Sequence, residues 1–352
     1  MVAKHRLPFM LLAIINLFAG LGTGLVRIGW QFEISNLAPA HGAIMVGGFL
    51  GTLISIEKII PLRNKFLFFI PALSGSSLLL FLLNMPQESI LMVTLASLGL
   101  VVIFVYYYFK YKDLQYLIML IGGICWLVGN VLLYSKNFYP ASFPLWLGFI
   151  LFVIVGERID LMKFMPVTNR AKFLLMFFLA MYLGSTLFHF HGAGNYIAGI
   201  SLIAVAVWLI KNDMISANIS KSALTKYVAI ALLCGYISLL ICGVFILSLQ
   251  GSAMAYDAVV HTFFLGFTFS MIFAHGPIIL PGVLGVIVKP YHIIFYLFLS
   301  LLQASWLMRA FSDSSLNFYL RQISGLLSTV AILGYFASLA IVSINQLRGK
   351  TV

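Results

Sequence analysis

The chain has 352 residues, of which 62% are hydrophobic and only 9% are charged, and its formal net charge is +12. Apolar runs of about 20 residues, the length that crosses the ~30 Å hydrocarbon core of a bilayer, recur along the whole chain. No stretch is polar enough to form a domain outside the membrane, which excludes a nucleic-acid-binding protein. We therefore expect an all-α polytopic protein in the lipid bilayer, with residues 1–352 as a single transmembrane domain.

The hydropathy pattern predicts about twelve spans. With the N-terminus inside, 17 of the 21 lysines and arginines lie in inner segments and four in outer ones. This positive-inside bias predicts a multi-pass protein of the inner (plasma) membrane with both termini cytoplasmic. The predicted spans are residues 8–29, 41–62, 66–84, 89–109, 114–134, 142–161, 171–190, 194–211, 226–248, 257–283, 290–310 and 317–345.

Four histidines fall near the predicted outer ends of spans: His41, His189, His191 and His261. Histidine is costly at membrane depth, so it usually faces a polar cavity, a partner or a metal. Neutral imidazole is also a common ligand of iron, copper and zinc. Because the four come from three distant segments at similar predicted depth, we expect them to form one ligand cluster.

Each of these positions also has a simpler interpretation. His41 opens a span that continues with Gly47, Gly48 and Gly51, which let either another helix or a flat ligand approach the backbone. His41 itself is equally consistent with a hydrogen bond to a loop.

The pair His189 and His191 lies about 200° apart on a helix, so both meet one metal only if the helix frays there. Two interfacial histidines that face water and lipid headgroups are the alternative.

His275 follows His261 by about 21 Å along the same helix face, a spacing that can serve two hemes. No second helix supplies matching histidines, since the only other inner one is His292. His275 is therefore expected to be a satisfied helix-breaking residue, or a cavity residue beside Gly276 and Pro277, and the roles of both histidines stay open.

Three arginines, Arg27, Arg309 and Arg321, depart from the positive-inside pattern. They are expected at the depth of a heme held by His41 or His261, where a planar guanidinium suits propionate groups. Binding of lipid headgroups is the ordinary alternative.

Acidic residues add a candidate proton path that includes Glu57 and Asp257. Ion pairing near the membrane surface is the competing interpretation, and for Glu157 it is the favoured one.

These motifs resemble the NnrS family, heme- and copper-containing membrane proteins linked to nitric oxide stress. The likeness rests on three segments: residues 41–49, the residues from Gly156 to Arg170, and the stretch from His261 through Gly266 to Met271. A similarity to the twelve-span fold of heme–copper oxidase subunit I stands behind it. That resemblance implies that His41 and His261 hold heme b, that His189 and His191 help to hold copper, and that Arg309 and Arg321 bind propionates in the loop after span 11.

The chain also departs from the oxidase pattern. Span 6 contains no histidine, span 10 lacks a closely spaced histidine pair, and no His-Pro-Glu-Val-Tyr segment is present. A complete proton-pumping oxygen reductase is therefore not expected, although oxidoreductase activity stays open.

The favoured hypothesis is a heme protein, with copper or a second iron nearby, that handles nitric oxide or another small gas or transfers electrons. Two alternatives remain. One is a twelve-span secondary transporter, because Gly276 and Pro277 offer one helix break. The other is a membrane anchor for redox partner subunits.

Overall fold

The structure, a computed structural model, describes residues 4–188, 192–221, 223–252 and 254–349. Within these ranges the chain is helical and has no strands. The long helices are α1 (Leu7–Arg27), α2 (Ser35–Leu62), α3 (Lys65–Leu82), α4 (Pro86–Tyr111), α5 (Leu114–Lys136), α6 (Tyr139–Leu161), α7 (Asn169–Ser185), α8 (Ala193–Asn212), α9 (Ala223–Ser248), α10 (Ala255–Val283), α11 (Ile294–Ser314) and α12 (Phe318–Leu347).

Among the described residues, eleven helices are long and apolar enough to cross a membrane. The remaining long helix, α7, has 17 residues. Large apolar side chains such as Phe66, Phe173 and Phe311 are more than half exposed, as expected for surfaces that face lipid. The prediction of an all-α, multi-pass membrane protein is confirmed at this level.

Local sequence signals set several helix ends. Pro86 opens α4, where its missing N–H costs nothing. The side chains of Thr168 and Asn317 accept hydrogen bonds from the main-chain N–H groups of Ala171 and Leu320, which caps α7 and α12. Asn137 ends α5 in the left-handed conformation, a common way to stop a helix.

The helices form two compact units, divided after Leu161. In the first unit, α5 packs along α4 and α6, and the middle of α2 packs against α1 and α3. In the second unit, α9 packs against α8 and α10, and α11 packs along α12. Residues 283–286 group with the first unit.

Helices α2 and α10 share a feature that hydropathy does not reveal. In α2 the residues Ile44–Gly51 are π-helical, and in α10 the residues Thr262–Thr268 are π-helical. In α2, His41 begins the α turn His41–Ala43, which leads directly into the π segment. In α10, His261 is the residue immediately before the π segment. Such segments are rare and occur often at functional sites.

Helix α10 continues through Pro277, where the sequence predicts a break. A proline has no N–H for the carbonyl four residues earlier, which here is that of Phe273. The Tyr335 hydroxyl donates a hydrogen bond of 2.6 Å to this carbonyl, so α12 compensates for the missing bond. His275 donates from Nδ1 to the carbonyl of Met271 at 2.8 Å and stays within the helix.

Candidate functional site

The second unit contains a compact group of ionisable side chains around His261. Asp257 lies in the first turn of α10, one turn before His261, and the two side chains share a helix face. Nδ1 of His261 donates a hydrogen bond of 2.9 Å to the carbonyl of Asp257 and lies 3.4 Å from Oδ1 of the same residue. The main chain and the carboxylate thus orient the ring through Nδ1.

Two arginines converge on the Asp257 carboxylate. Arg309 contacts both oxygens, from Nε at 2.8 Å and from a terminal nitrogen at 3.2 Å. Arg321 approaches Oδ1 at 3.1 Å. Such paired guanidinium contacts fix a carboxylate in geometry as well as in charge.

A second carboxylate, Asp313, completes the group. It lies 3.7 Å from Nε of Arg309 and 3.2 Å from Nε of Arg321, in ion-pair range although the latter N–H is not aligned on it. Asp313 is 1% exposed and Arg309 is 5% exposed. We call Asp257, His261, Arg309, Asp313 and Arg321 the α10–α12 cluster; its two aspartates balance its two arginines.

The predicted place of the arginines is wrong in one respect. The resemblance puts Arg309 and Arg321 in the loop after span 11, whereas Arg309 lies inside α11 and Arg321 in the first turn of α12. Helix α11 extends beyond residue 310, and Ser312, Ser314 and Ser315 donate their hydroxyl hydrogens to preceding main-chain carbonyls there. Their polar groups are thereby satisfied within the helix.

His41 has a similar local arrangement in the first unit. Its Nδ1 donates to the carbonyl of Gly20 at 2.9 Å and lies 3.2 Å from the Thr23 hydroxyl. A Cβ added to Gly24 would lie 3.0 Å from the imidazole, so this glycine makes room for the ring. Helix α1 thus orients His41 as the Asp257 carbonyl orients His261.

The glycines that follow His41 in α2 contact other helices. A Cβ on Gly47 would meet Val93, one on Gly48 would meet Asn16, and one on Gly51 would meet Trp126. Of the two interpretations of these glycines, the structure therefore shows close helix packing. Arg27, at the end of α1, is exposed and donates to the carbonyl of Ala38 at 3.4 Å.

The predicted inner end of the first unit holds an ion-pair cluster. Nζ of Lys58 lies 3.0 Å from Glu57 and 2.6 Å from Glu157, which joins α2 to α6. The Tyr107 hydroxyl donates to the Lys58 carbonyl at 2.7 Å. Glu57, the first residue of the predicted proton path, therefore belongs to a paired group.

Two predicted metal ligands, His189 and His191, lie outside the described residues. Within the described ranges no group of three or more histidine, cysteine or acidic residues has the spacing of a metal site. His41 belongs to the first unit and His261 to the second. Asp313 is the one member of the α10–α12 cluster that is not predicted from the sequence, although its spacing of four residues from Arg309 is a standard ion-pair signal on a helix.

Comparison with known proteins identifies a family without assigning an activity. No curated protein and no solved structure matches the chain. The model of the family described as Domain of unknown function (DUF8744) matches residues 6–344. Because this match spans both helical units, the chain belongs to the DUF8744 family.

Proposed function

We propose that this protein is a membrane-embedded b-type heme protein in which His261 would hold the heme iron. One observation carries the proposal: Nδ1 of His261 donates to the Asp257 carbonyl beside the Asp257 carboxylate. Histidines that bind metal through Nε2 almost always donate from the other ring nitrogen to a carbonyl or carboxylate, which fixes the tautomer. His261 makes this contact from Nδ1 to the main chain and carboxylate of Asp257.

His41, in the first unit, is also proposed as a heme ligand. Its Nδ1 also faces a main-chain carbonyl, which directs Nε2 to the opposite side of the ring. The resemblance to the NnrS family suggested the same two histidines from sequence alone. Copper at His189 and His191 remains a prediction from that resemblance.

The α10–α12 cluster would provide polar contacts for the propionates of a heme held by His261. Arg321 keeps 19% of its side chain exposed, more than the 7% of Arg309, and is the better placed of the two to meet a propionate. Arg309 is almost enclosed by Asp257 and Asp313 and would act by holding Asp257 in place. Arg27, which is exposed and in the first unit, is retained as a proposed propionate contact of His41-bound heme.

Bound heme would supply one-electron chemistry and a coordination position for a small gas such as nitric oxide. Binding of the iron by two histidines would favour electron transfer, whereas binding by one histidine would leave the iron open to the gas. The chain's own part would be to hold His261 in one tautomer and to set the charge near it through Asp257.

The test is an oxidised-minus-reduced optical spectrum of the purified protein, together with iron and copper quantitation. We expect a Soret band in the wild-type protein and its loss or shift in His261→Ala. His275→Ala is the matched control, because His275 lies on the same helix and makes the same type of Nδ1 bond. A colourless, iron-free preparation from heme-replete cells would refute the proposal, as would an unchanged spectrum in His261→Ala.

A second candidate is a secondary transporter, favoured by the π segments that interrupt one helix in each unit. Transporters commonly bind substrate where helices are discontinuous. Heme-free protein that moves protons into liposomes under an imposed membrane potential would support this candidate. A co-purifying subunit carrying a redox centre would instead support the role of a membrane anchor.

A further inference from the structure

Four buried polar atoms near the middle of the first unit have no hydrogen-bond partner among the described residues. They are Oδ1 of Asn16, Oγ1 of Thr52, Oγ of Ser55 and Nε1 of Trp126. Each of the four residues is 0% exposed. Lipid offers such groups no hydrogen bond, so an unpaired polar atom is especially costly inside a membrane protein.

Contacts through glycine link most of these residues into one region. The Asn16 amide lies between α2 and α3: Nδ2 donates to the Gly75 carbonyl at 2.7 Å, and Oδ1 lies 1.9 Å from the position of a Cβ on Gly48. Oγ1 of Thr52 lies 3.2 Å from the position of a Cβ on Gly75. Asn16 and Thr52 therefore meet at the same glycine.

Trp126 enters the region from α5. Its ring lies 2.3 Å from the position of a Cβ on Gly51, and the Ser74 hydroxyl lies 3.1 Å from that position. Ser74, in turn, donates to the Gly47 carbonyl at 2.8 Å. The indole thus lies against the last residue of the π segment, next to Thr52.

Thr52 and Ser55 lack the hydrogen bond that a hydroxyl on a helix usually makes. A helical serine or threonine commonly donates to the carbonyl four residues earlier, as Ser270 and Thr329 do in this chain. For Thr52 and Ser55 those carbonyls belong to Gly48 and Gly51, both inside Ile44–Gly51. In α10, by contrast, Ser270 does donate to Gly266, which also lies in a π segment. The two hydroxyls of α2 are therefore unpaired although main-chain carbonyls lie at the usual spacing.

The four unpaired atoms include both hydrogen-bond donors and acceptors, and this mixture indicates which kind of molecule would bind them. The amide oxygen only accepts, the indole N–H only donates, and each hydroxyl does both. A metal ion cannot use an indole N–H, and a carboxylate ligand is absent from these four residues. Water donates and accepts at once, and buried waters typically serve polar groups that lack other partners.

We propose that the first unit holds a cluster of bound water beside the π segment of α2, shared by Asn16, Thr52, Ser55 and Trp126. Ser55 lies three residues before Lys58, about 4.5 Å along the helix axis. The proposed water cluster therefore lies about one helical turn from Lys58, which pairs with Glu57 and Glu157. It would place water beside the otherwise closely packed helix α2. This proposal does not depend on heme.

Exchange of indole N–H with deuterium tests it, in full-length protein in nanodiscs with ¹⁵N-labelled tryptophan. Trp306 is the internal control, since it also lies mid-helix, is 2% exposed and donates to Gln303. We expect the Trp126 N–H, assigned with Trp126→Phe, to exchange at least about tenfold faster than that of Trp306. Equal or slower exchange at Trp126 would overturn the proposal.

A pair of variants gives an independent readout. Thr52→Val keeps the shape and removes one hydroxyl, so it should slow exchange at Trp126 and lower the melting temperature if water bridges the site. If no water is bound, Thr52→Val removes a hydroxyl that has no partner and should raise the melting temperature. A raised melting temperature would therefore contradict the water cluster. Ser77→Ala, which removes a hydroxyl already bonded to the Ser74 carbonyl, should leave Trp126 exchange unchanged.

Discussion

Tyr335 donates its hydroxyl hydrogen to the one main-chain carbonyl of α10 that Pro277 deprives of a partner, that of Phe273. The two aromatic rings also stack, with centroids 3.8 Å apart. Helix α12 thus stabilises the part of α10 that follows the π segment. Asp257 and His261 lie at the start of the same helix.

Removal of this hydroxyl should destabilise the protein. Tyr335→Phe keeps the ring stack but leaves the Phe273 carbonyl unpaired in an apolar surrounding, at a cost of about 1–3 kcal/mol. Thermal unfolding in detergent, followed by circular dichroism, measures the change. Tyr319→Phe is the control because Tyr319 is 70% exposed, and an equal effect of both substitutions would contradict the assignment.

Arg309→Met should be among the most damaging single changes in the second unit. It leaves Asp257 and Asp313 with one arginine between them, and breaking a buried ion pair costs about 3–5 kcal/mol. Adding Asp313→Asn restores the balance of one aspartate with one arginine, so the double variant should recover part of the loss. Arg27→Met, at an exposed site, serves as the control. A double variant no more stable than Arg309→Met would contradict charge balance as the cause.

The Lys58 cluster predicts an asymmetry between its members. Lys58→Met removes the cation that Glu57 and Glu157 share, whereas Glu157→Gln leaves Lys58 with Glu57. Because these side chains keep 13–27% of their surface exposed, we expect about 2 kcal/mol for the first change and less than half of that for the second. Chemical unfolding compares the two variants with Lys65→Met, an exposed lysine in α3. Equal losses would show that the lysine is not shared.

Gly48→Ala tests the contact between α1 and α2. The added methyl group would lie 1.9 Å from Oδ1 of Asn16, an overlap that forces the helices apart at about 1–3 kcal/mol. Shortening the facing side chain with Asn16→Ala should relieve the overlap in the double variant. Gly184→Ala, with nothing within 4 Å, should be neutral or slightly stabilising in the same melting assay.

The sequence predicts the spans well because a bilayer requires about 20 apolar residues for each crossing. Eleven of the predicted spans correspond to long apolar helices, and positions such as Asp257 at the start of α10 follow directly. Helix ends are less well predicted: α11 ends at Ser314, four residues past the predicted end at residue 310.

Contacts between helices are harder to predict from one sequence. The pairing of Lys58 with Glu157 joins residues about one hundred positions apart, and only packing decides it. Ion pairing of Glu157 is the favoured interpretation of the sequence, but the sequence does not name Lys58 as its partner. The π segments are equally hidden, since Gly47, Gly48 and Gly51 indicate close packing without indicating the hydrogen-bond ladder that accommodates it.

The π segments also bear on how these helices tolerate changes in length. Each main-chain hydrogen bond to the fifth residue encloses one residue more than an α-helical turn does. Deletion of one residue within Ile44–Gly51 can therefore be absorbed by conversion to regular α-helix while the membrane-spanning length of α2 hardly changes. Because the extra residue of the π segment is the one removed, His41 should stay near its present position around the helix and still reach the Gly20 carbonyl. The same deletion in the regular α-helical stretch Thr52–Ile59 would instead turn His41 by about 100° relative to the inner end of α2. The π segment thus allows α2 to lose one residue while His41 keeps its contact with α1.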